Sequence, residues 1–458
     1  LGSLSKKAYQ LTRLRPATPA SVTVDGGNLL FEHLPLPPAR RAQEERTAET
    51  IMAAYRLMGY DGVGIGRYDL AAGLDFLLAH RDDLPWVSAN IRRDGEPLFP
   101  PYRLVTTGPL TVGIIGISGR DIKAMLPKDV TVTSWQAVLP ALVEELQPRC
   151  DLLIVLSTCS PQENLAMARR FDTVHLIVQA GGPAGNRNPK PVKNTLIVQT
   201  TSQGKYLGVV EVDWQPSHHW QRRDAEALLR NKKASLDRYQ WQIDRLATNG
   251  NDDAGRDATY QRLVAVRDKL AAEIAELERQ LAAAKDSPPC RYQVTTIALK
   301  TSMPDDPQVL ELQQRLKETI ATLNAPPDTK TTTIASPLDQ GYLGWRACVG
   351  CHQDIADRWQ QTRHARAYDT LADKGRQFDL DCLACHVTGL HGGDEPYALT
   401  LPEEMLAVGC EACHGPGRMH AKEPAVRPAP VSATVCQRCH TPEQDDNFDY
   451  SVKRRLVH

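Results

Sequence analysis

The sequence predicts a chain of two kinds. An α/β region with an antiparallel helical hairpin inserted in it comes first, and a shorter, mainly α segment follows. Three observations predict this. Between residues 20 and 215 short β-rich runs alternate with helical stretches. Between residues 217 and 287 the composition shifts to Arg, Lys, Glu, Gln, Ala and Leu, with apolar residues at helical spacing. From Cys348 to His440 four Cys-x-x-Cys-His motifs follow one another.

The α/β region reads element by element. Residues 21–24 predict a strand, 41–58 a helix, 62–66 a strand and 70–80 a helix. Further strands are expected at 85–88, 111–117, 152–156, 174–178, 195–199 and 207–213. Their runs of Val, Ile and Leu suit strands buried on both faces.

The order of landmarks in residues 1–215 resembles the metallophosphoesterase domain of bacterial nucleotidases. Val24-Asp25-Gly26-Gly27-Asn28 falls where that family has an aspartate-rich turn. Gly66-Arg67-Tyr68-Asp69 stands where it places Gly-Asn-His-Glu, and Val87-Ser88-Ala89-Asn90 and Val112-Gly113-Ile114-Ile115-Gly116 keep the register. The resemblance implies a metallophosphoesterase-like sandwich and reappears at residues 292–323. It does not imply the activity. A two-metal phosphoesterase needs a dense set of Asp, Asn and His ligands around two cations. Here residues 1–20 contain neither Asp nor His, and Asn28 stands at the bridging Asp position. Arg67 and Tyr68 replace the Asn-His pair, Thr158 sits where a His is expected, and Gln179-Ala180-Gly181-Gly182 replaces Gly-His-x-His. The expectation is a catalytically inactive, pseudoenzyme scaffold with no catalytic residue assigned.

Within residues 217–287, Leu263, Val266, Leu270, Ile274, Leu277 and Leu281 recur at three- and four-residue steps, and Leu229, Leu236 and Ile243 every seven. The polar run from Asn249 to Gly255 predicts the turn between two helices. Such a coiled-coil hairpin serves either as a packed arm or for docking and oligomerisation. His218 and His219 at its base read as surface residues or ligands. Residues 292–299 predict a returning strand and 307–323 a helix. The expected divisions are therefore 1–216 with 288–323, the hairpin at 217–287, a Pro/Thr-rich linker at 324–340, and the last segment at 341–458.

That last segment carries the chemistry. Its motifs are Cys348-Val349-Gly350-Cys351-His352, Cys382-Leu383-Ala384-Cys385-His386, Cys410-Glu411-Ala412-Cys413-His414 and Cys436-Gln437-Arg438-Cys439-His440. Two thiols three residues apart reach the two vinyl groups on one porphyrin edge, and the adjacent imidazole comes up beneath the iron. Zinc ribbons also use paired Cys-x-x-Cys motifs, but zinc gives no reason for a His directly after every pair. The motifs predict four covalently attached c-type haems with His352, His386, His414 and His440 as proximal ligands. His364, His391, His420 and His458 then supply one spare imidazole per haem, while Met405 and Met419 are the only methionines nearby. A surface role is the alternative for these spare histidines.

The run Trp359-Gln360-Gln361-Thr362-Arg363-His364-Ala365, the segment Cys385-His386-Val387-Thr388-Gly389, and residues 408–420 resemble a tetrahaem family. It comprises the cytochromes that take electrons from hydroxylamine oxidoreductase, with their multihaem relatives. The resemblance covers residues 340–445. It implies that His364 ligates the last haem and His420 the first, and that the iron beside His386 can lack a sixth ligand. His391 lies only five residues beyond His386, too close to wrap round to the opposite face of that haem. His458, the final residue, is assigned to the third haem. The segment is too short per haem for a conventional core, so a haem-packed cytochrome domain is expected.

Composition limits the alternatives. Net charge is −1 with no basic block, so nucleic acid is not an expected partner, and no run is long enough to span a bilayer. Thioether attachment of haem takes place outside the cytoplasm, so a mature periplasmic or extracellular protein, its targeting segment removed, is expected. Of the 11 cysteines, the motifs leave Cys150, Cys159 and Cys290. The strand between the first two separates them by roughly 25 Å, too far for a mutual disulfide. Buried free thiols are expected, with pairing to Cys290 the alternative. Together these features point to an exported electron carrier with redox protein partners rather than an enzyme. Two rivals stand beside it: a haem oxidoreductase acting on a small nitrogen compound at an open haem, and a subunit of a larger multihaem assembly or filament.

Overall fold

Alternation of side chains along Leu110–Ile117 and Leu152–Ser157 gives their sheet two apolar faces. The computed structural model describes residues 4–17, 20–182, 185–201, 204–215, 220–248, 254–283, 289–325, 340–390, 401–428, 430–441, 444–445 and 447–457. The strand order in the main sheet is Arg187–Val192, Thr195–Gln199, Leu176–Gln179, Leu152–Ser157, Leu110–Ile117 and Tyr102–Thr107. The four inner strands run parallel, and both outer pairs are antiparallel. Ile115, Ile117, Leu153, Val155 and Ile177 face Leu139, Val143 and Leu146 of helix Trp135–Leu146 and Met167 of helix Pro161–Arg170. Val112, Ile114, Ile154 and Leu156 face the other way, onto Val22, Val24 and Val87. There a second, parallel sheet is formed by Val24–Asp25, Gly62–Gly64 and Trp86–Val87. The two sheets approach closely. A Cβ on Gly116 would lie 2.0 Å from the Val87 carbonyl oxygen, so only glycine fits.

Local sequence accounts for the helix ends. Ser160-Pro161-Gln162-Glu163 forms a capping box, Ser160 Oγ accepting from Glu163 N and Glu163 Oε2 from Ser160 N. The helix expected at 70–80 is divided. A 3-10 turn spans Arg67–Leu70 and a helix spans Leu74–Ala79, because Gly73 takes φ +101°, outside the helical region.

The strand Cys290–Ala298 pairs antiparallel with Tyr206–Asp213, Arg291 opposite Asp213. Trp220–Arg222 pairs in parallel with the first residues of that strand, so the chain from there to Cys290 forms an insertion. Helices Ala225–Thr248 and Ala254–Ala283 occupy that insertion. Ion pairs Lys232–Glu273 and Lys233–Glu278 run between them, and Ile243, Ile274 and Leu277 are buried. The expected turn falls largely on residues outside the described ones, as do His218, His219 and most of the linker. Cys159 and Cys290 are buried and Cys150 is half-buried. Burial pushes the Cys159 thiol up to about 12.

Contacts divide the chain into two units, Leu1–Leu29 with Met58–Asp306, and Leu30–Leu57 with Pro307–His458. The second unit thus takes in two helices, Arg41–Met58 up to Leu57 and Pro307–Asn324, that the sequence had grouped with the α/β region. The reason lies in hydrogen bonds. Buried Gln43 donates to Asp379 Oδ1 at 3.0 Å and accepts from Leu380 N at 3.1 Å and Asn324 Nδ2 at 2.8 Å. Asn324 also donates to the Phe378 carbonyl. Residues 340–457, where described, form short helices around a small core of Leu371, Leu380, Leu383, Val387 and Leu390.

Candidate haem centre

Each Cys-x-x-Cys-His motif lies on or beside a short helix. The first lies within Arg346–Gln360, where His352 departs from helical dihedrals (φ −129°, ψ 42°) and kinks the chain. The second and third coincide with Leu380–His386 and Cys410–His414, and the fourth begins in Ala433–Cys436. One helical turn brings the two thiols of a pair to the same side.

Across the segment the motifs meet through their cysteines. Cys348 neighbours Cys410, and Cys385 neighbours Cys439, closely enough to shift one another's thiols. The Cys413 thiol is raised by burial and then by nearby Cys436. The four motifs therefore form one series: first, third, fourth, second.

The histidines meet in twos. The His352 and His420 rings lie 6.1 Å apart, centre to centre, at 20°. Those of His364 and His440 also lie 6.1 Å apart, at 64°. An imidazole nitrogen sits about 2 Å from a metal it ligates, with the ring centre about 1 Å behind, so two rings sharing an ion are roughly 6 Å apart. The residues present therefore fit the group that the motifs imply. Burial, and then the neighbouring His440, lower the His364 pKa and favour its neutral, ligating form. His391 and His458 lie outside the described residues.

Ring orientation is fixed from behind. Nδ1 of His386 bonds to the Ala367 carbonyl at 2.7 Å and Nδ1 of His420 to the Val426 carbonyl at 2.9 Å. Nδ1 of His440 bonds to Asp445 Oδ2 at 2.8 Å. Each bond engages Nδ1 and leaves Nε2 on the opposite side of the ring. Among the described residues no histidine ring is paired with His386. Trp359 Nε1 donates to the Val408 carbonyl at 3.0 Å, which ties the helix leading to His364 to the approach of the third motif. Thr388, two residues beyond the second motif, accepts from Gly409 N and donates to the Ala407 carbonyl.

One residue of the site carries no signal in the pattern of the sequence. Glu411, inside the third motif, is 3% exposed. Its carboxylate accepts from Leu343 N, Gly344 N (2.8 Å) and Gly417 N (2.7 Å). The motif's x positions are usually read as spacers. A charged residue in a segment with so little core was the only hint.

The positions read by resemblance as phosphoesterase ligands are held by hydrogen bonds within the fold. Asp69 accepts from the backbone N–H groups of Asn28, Leu29 and Gly66. Asn28 donates to the Ala180 carbonyl and accepts from Tyr68 N. Thr158 Oγ1 donates to the Ile65 carbonyl and accepts from Gly119 N. Gln179 accepts from Asn164 and donates to Gln199. These side chains spend their hydrogen-bonding capacity on the fold itself.

Comparison with known proteins finds different relatives for the N-terminal and C-terminal parts of the chain. The family profile described as cytochrome c554 and c-prime matches residues 347–415. Residues 347–415 thus resemble that family. Three of the four motifs fall inside the match; the fourth lies beyond it. Cytochrome c-554 of Nitrosomonas europaea is 35% identical over 106 residues, 20% of this chain and 45% of that protein. The N-terminal part resembles 5'-nucleotidases. That of Bos taurus is 22% identical over 236 residues, 42% of this chain and 40% of that protein. The chain thus spans less than half the length of each of these relatives. Among solved structures, the 5'-nucleotidase precursor from Thermus thermophilus superposes with a TM-score of 0.48. It is 16% identical and covers 70% of this chain and 54% of that one. The cytochrome match implies c-type haem. Among the described residues no helix is long and apolar enough to cross a membrane.

Proposed function

We propose that this protein is an exported tetrahaem c-type cytochrome that carries electrons between redox protein partners, joined to a phosphoesterase-like domain that has lost its activity. The observation that carries the reading is the pairing of His352 with His420 and of His364 with His440, each at 6.1 Å. Haem bound there supplies reversible one-electron chemistry at iron. The chain's own part is to hold imidazoles on both sides of an ion with their tautomers fixed. Rings held from behind by Ala367, Val426 and Asp445 rearrange little when charge changes, as suits a carrier. The series of cysteine contacts favours passage of electrons along the segment. Thioether attachment places the protein in the periplasm or outside the cell, and the paired helices at residues 225–283 offer an arm for docking or oligomerisation.

Haem stoichiometry tests the reading. Pyridine haemochrome assay of the purified protein is expected to give four haems per chain that resist acid extraction. Fewer than four, or bound zinc, would contradict it.

The α/β domain is expected not to hydrolyse nucleotides in manganese or zinc, since Asn28, Asp69, Thr158 and Gln179 are already engaged. Metal-dependent hydrolysis that disappears in Asp25→Ala or Asp69→Ala would show the site to be alive.

One observation favours a second reading. His386 has no paired ring among the described residues, so an iron beside it is the place where an oxidoreductase would bind a small nitrogen compound. The carrier reading is preferred because two of the four motif histidines already face a second imidazole.

A further inference from the structure

The histidines of the haem segment differ in what holds them from behind. His386 and His420 bond through Nδ1 to backbone carbonyls, which are neutral acceptors. His440 alone of these three bonds to a carboxylate, Asp445, at 2.8 Å. That carboxylate is four-fifths buried and in turn receives Lys453 Nζ at 3.2 Å. Its own N–H donates to the Thr441 carbonyl, and the Phe448 ring lies 4.9 Å from the His440 ring at 23°. The geometry therefore aims one fixed, partly shielded negative charge at one imidazole.

From this we infer that Asp445 is a positioning residue that lowers the reduction potential of the haem attached at Cys436 and Cys439, with Lys453 limiting the shift. The inference rests on the reading of His440 as an axial ligand. A carboxylate accepting from Nδ1–H draws the proton toward itself and makes the opposite nitrogen a stronger donor. It also places negative charge near the iron. Both effects stabilise ferric over ferrous iron, which differ by one electron and one unit of charge, with no proton leaving His440. A neutral carbonyl does this more weakly. Lys453 withdraws part of the carboxylate's charge, so the two residues act with opposite sign on the same centre. The consequence is that the fourth site is biased to give up its electron to its neighbours in the series.

The test is spectroelectrochemical titration of the full-length holoprotein and two variants. In Asp445→Asn one haem potential is expected to rise by about 59 mV, a tenfold change in its one-electron equilibrium, while the others stay in place. In Lys453→Gln the same potential is expected to fall. A residue that only shapes the turn would move it in one direction in both variants, and that result, or no movement in either, would overturn the inference. If Asp445→Asn does not mature, Lys453→Gln decides alone, a fall supporting the inference and a rise or no change overturning it. Peptide mass mapping separates this from failure of the underlying reading. Haem found on the peptide with Cys436 and Cys439, together with unmoved potentials, sinks only the role of Asp445. No haem on that peptide sinks the reading of His440 as a ligand.

Discussion

His364→Ala is expected to convert one low-spin ferric haem to high spin, and His420→Ala to convert another, each change visible by electron paramagnetic resonance. Each imidazole is a strong-field ligand, and its removal leaves one face of an iron to water or to nothing. The effects should be separable. His420 faces His352, whereas His364 faces His440, so the two substitutions act on different motifs. The double variant should therefore show two high-spin haems, with the covalent haem count unchanged because all eight motif cysteines remain. His364→Ala also removes a half-buried ring beside His440, so a modest fall in thermal stability should accompany it. Wild-type spectra from both single variants would show that neither ring is a ligand.

The second large effect is expected at Glu411. Three backbone N–H groups end on its carboxylate, and two of them, from Leu343 and Gly344, lead into the helix that carries the first motif. The third, from Gly417, belongs to the turn before His420. Glu411 thus fixes the third motif to both ends of the His352 and His420 pair. Substitution by alanine leaves three donors without their acceptor, each costing about 1–3 kcal/mol when it stays buried, so a loss of roughly 3 kcal/mol or more is expected. Gln keeps one acceptor oxygen but turns an amide donor toward N–H groups, so Glu411→Gln should fall between wild type and Glu411→Ala. Denaturant unfolding of the three holoproteins, followed by the haem absorption, measures the order. An unchanged midpoint in Glu411→Ala would mean that the turns hold without it.

The haem motifs were legible because covalent attachment demands fixed residue types at fixed spacing, and local spacing survives in the sequence. The ring pairings of His364 with His440 and of His420 with His352 could be anticipated only through resemblance, since no local rule says which distant imidazole meets which motif. Glu411 was not legible, because its partners Leu343 and Gly344 stand 68 and 67 positions away in the chain. A carboxylate that binds backbone N–H groups needs no complementary residue type. The same holds for Gln43. The helix Arg41–Met58 was read at its observed bounds from its composition, but amphipathicity tells that a face is buried, not what covers it. Its grouping with residues 307–458 follows from hydrogen bonds to Asp379, Leu380 and Asn324 that leave no trace in periodicity. In the α/β region the alternation of Leu110–Ile117 and Leu152–Ser157 was enough to place strands. The departures from the phosphoesterase pattern at Asn28, Arg67, Tyr68 and Thr158 were legible by residue type. What those positions form instead, a set of mutually satisfied hydrogen bonds, was not.

Carrier and enzyme differ in one property, an iron open to small molecules. A carrier needs imidazoles on both faces and little rearrangement on reduction; an enzyme needs a vacant face and groups that handle protons beside it. The most direct measurement is therefore the absorption spectrum of the fully reduced and fully oxidised holoprotein during addition of carbon monoxide, nitric oxide or cyanide, with turnover of nitrite and hydroxylamine assayed on the same sample. The account predicts that at most one haem, the one beside His386, is perturbed, and that neither compound is turned over at an enzymatic rate. Rapid turnover abolished by blocking that iron would contradict it and make this protein an oxidoreductase.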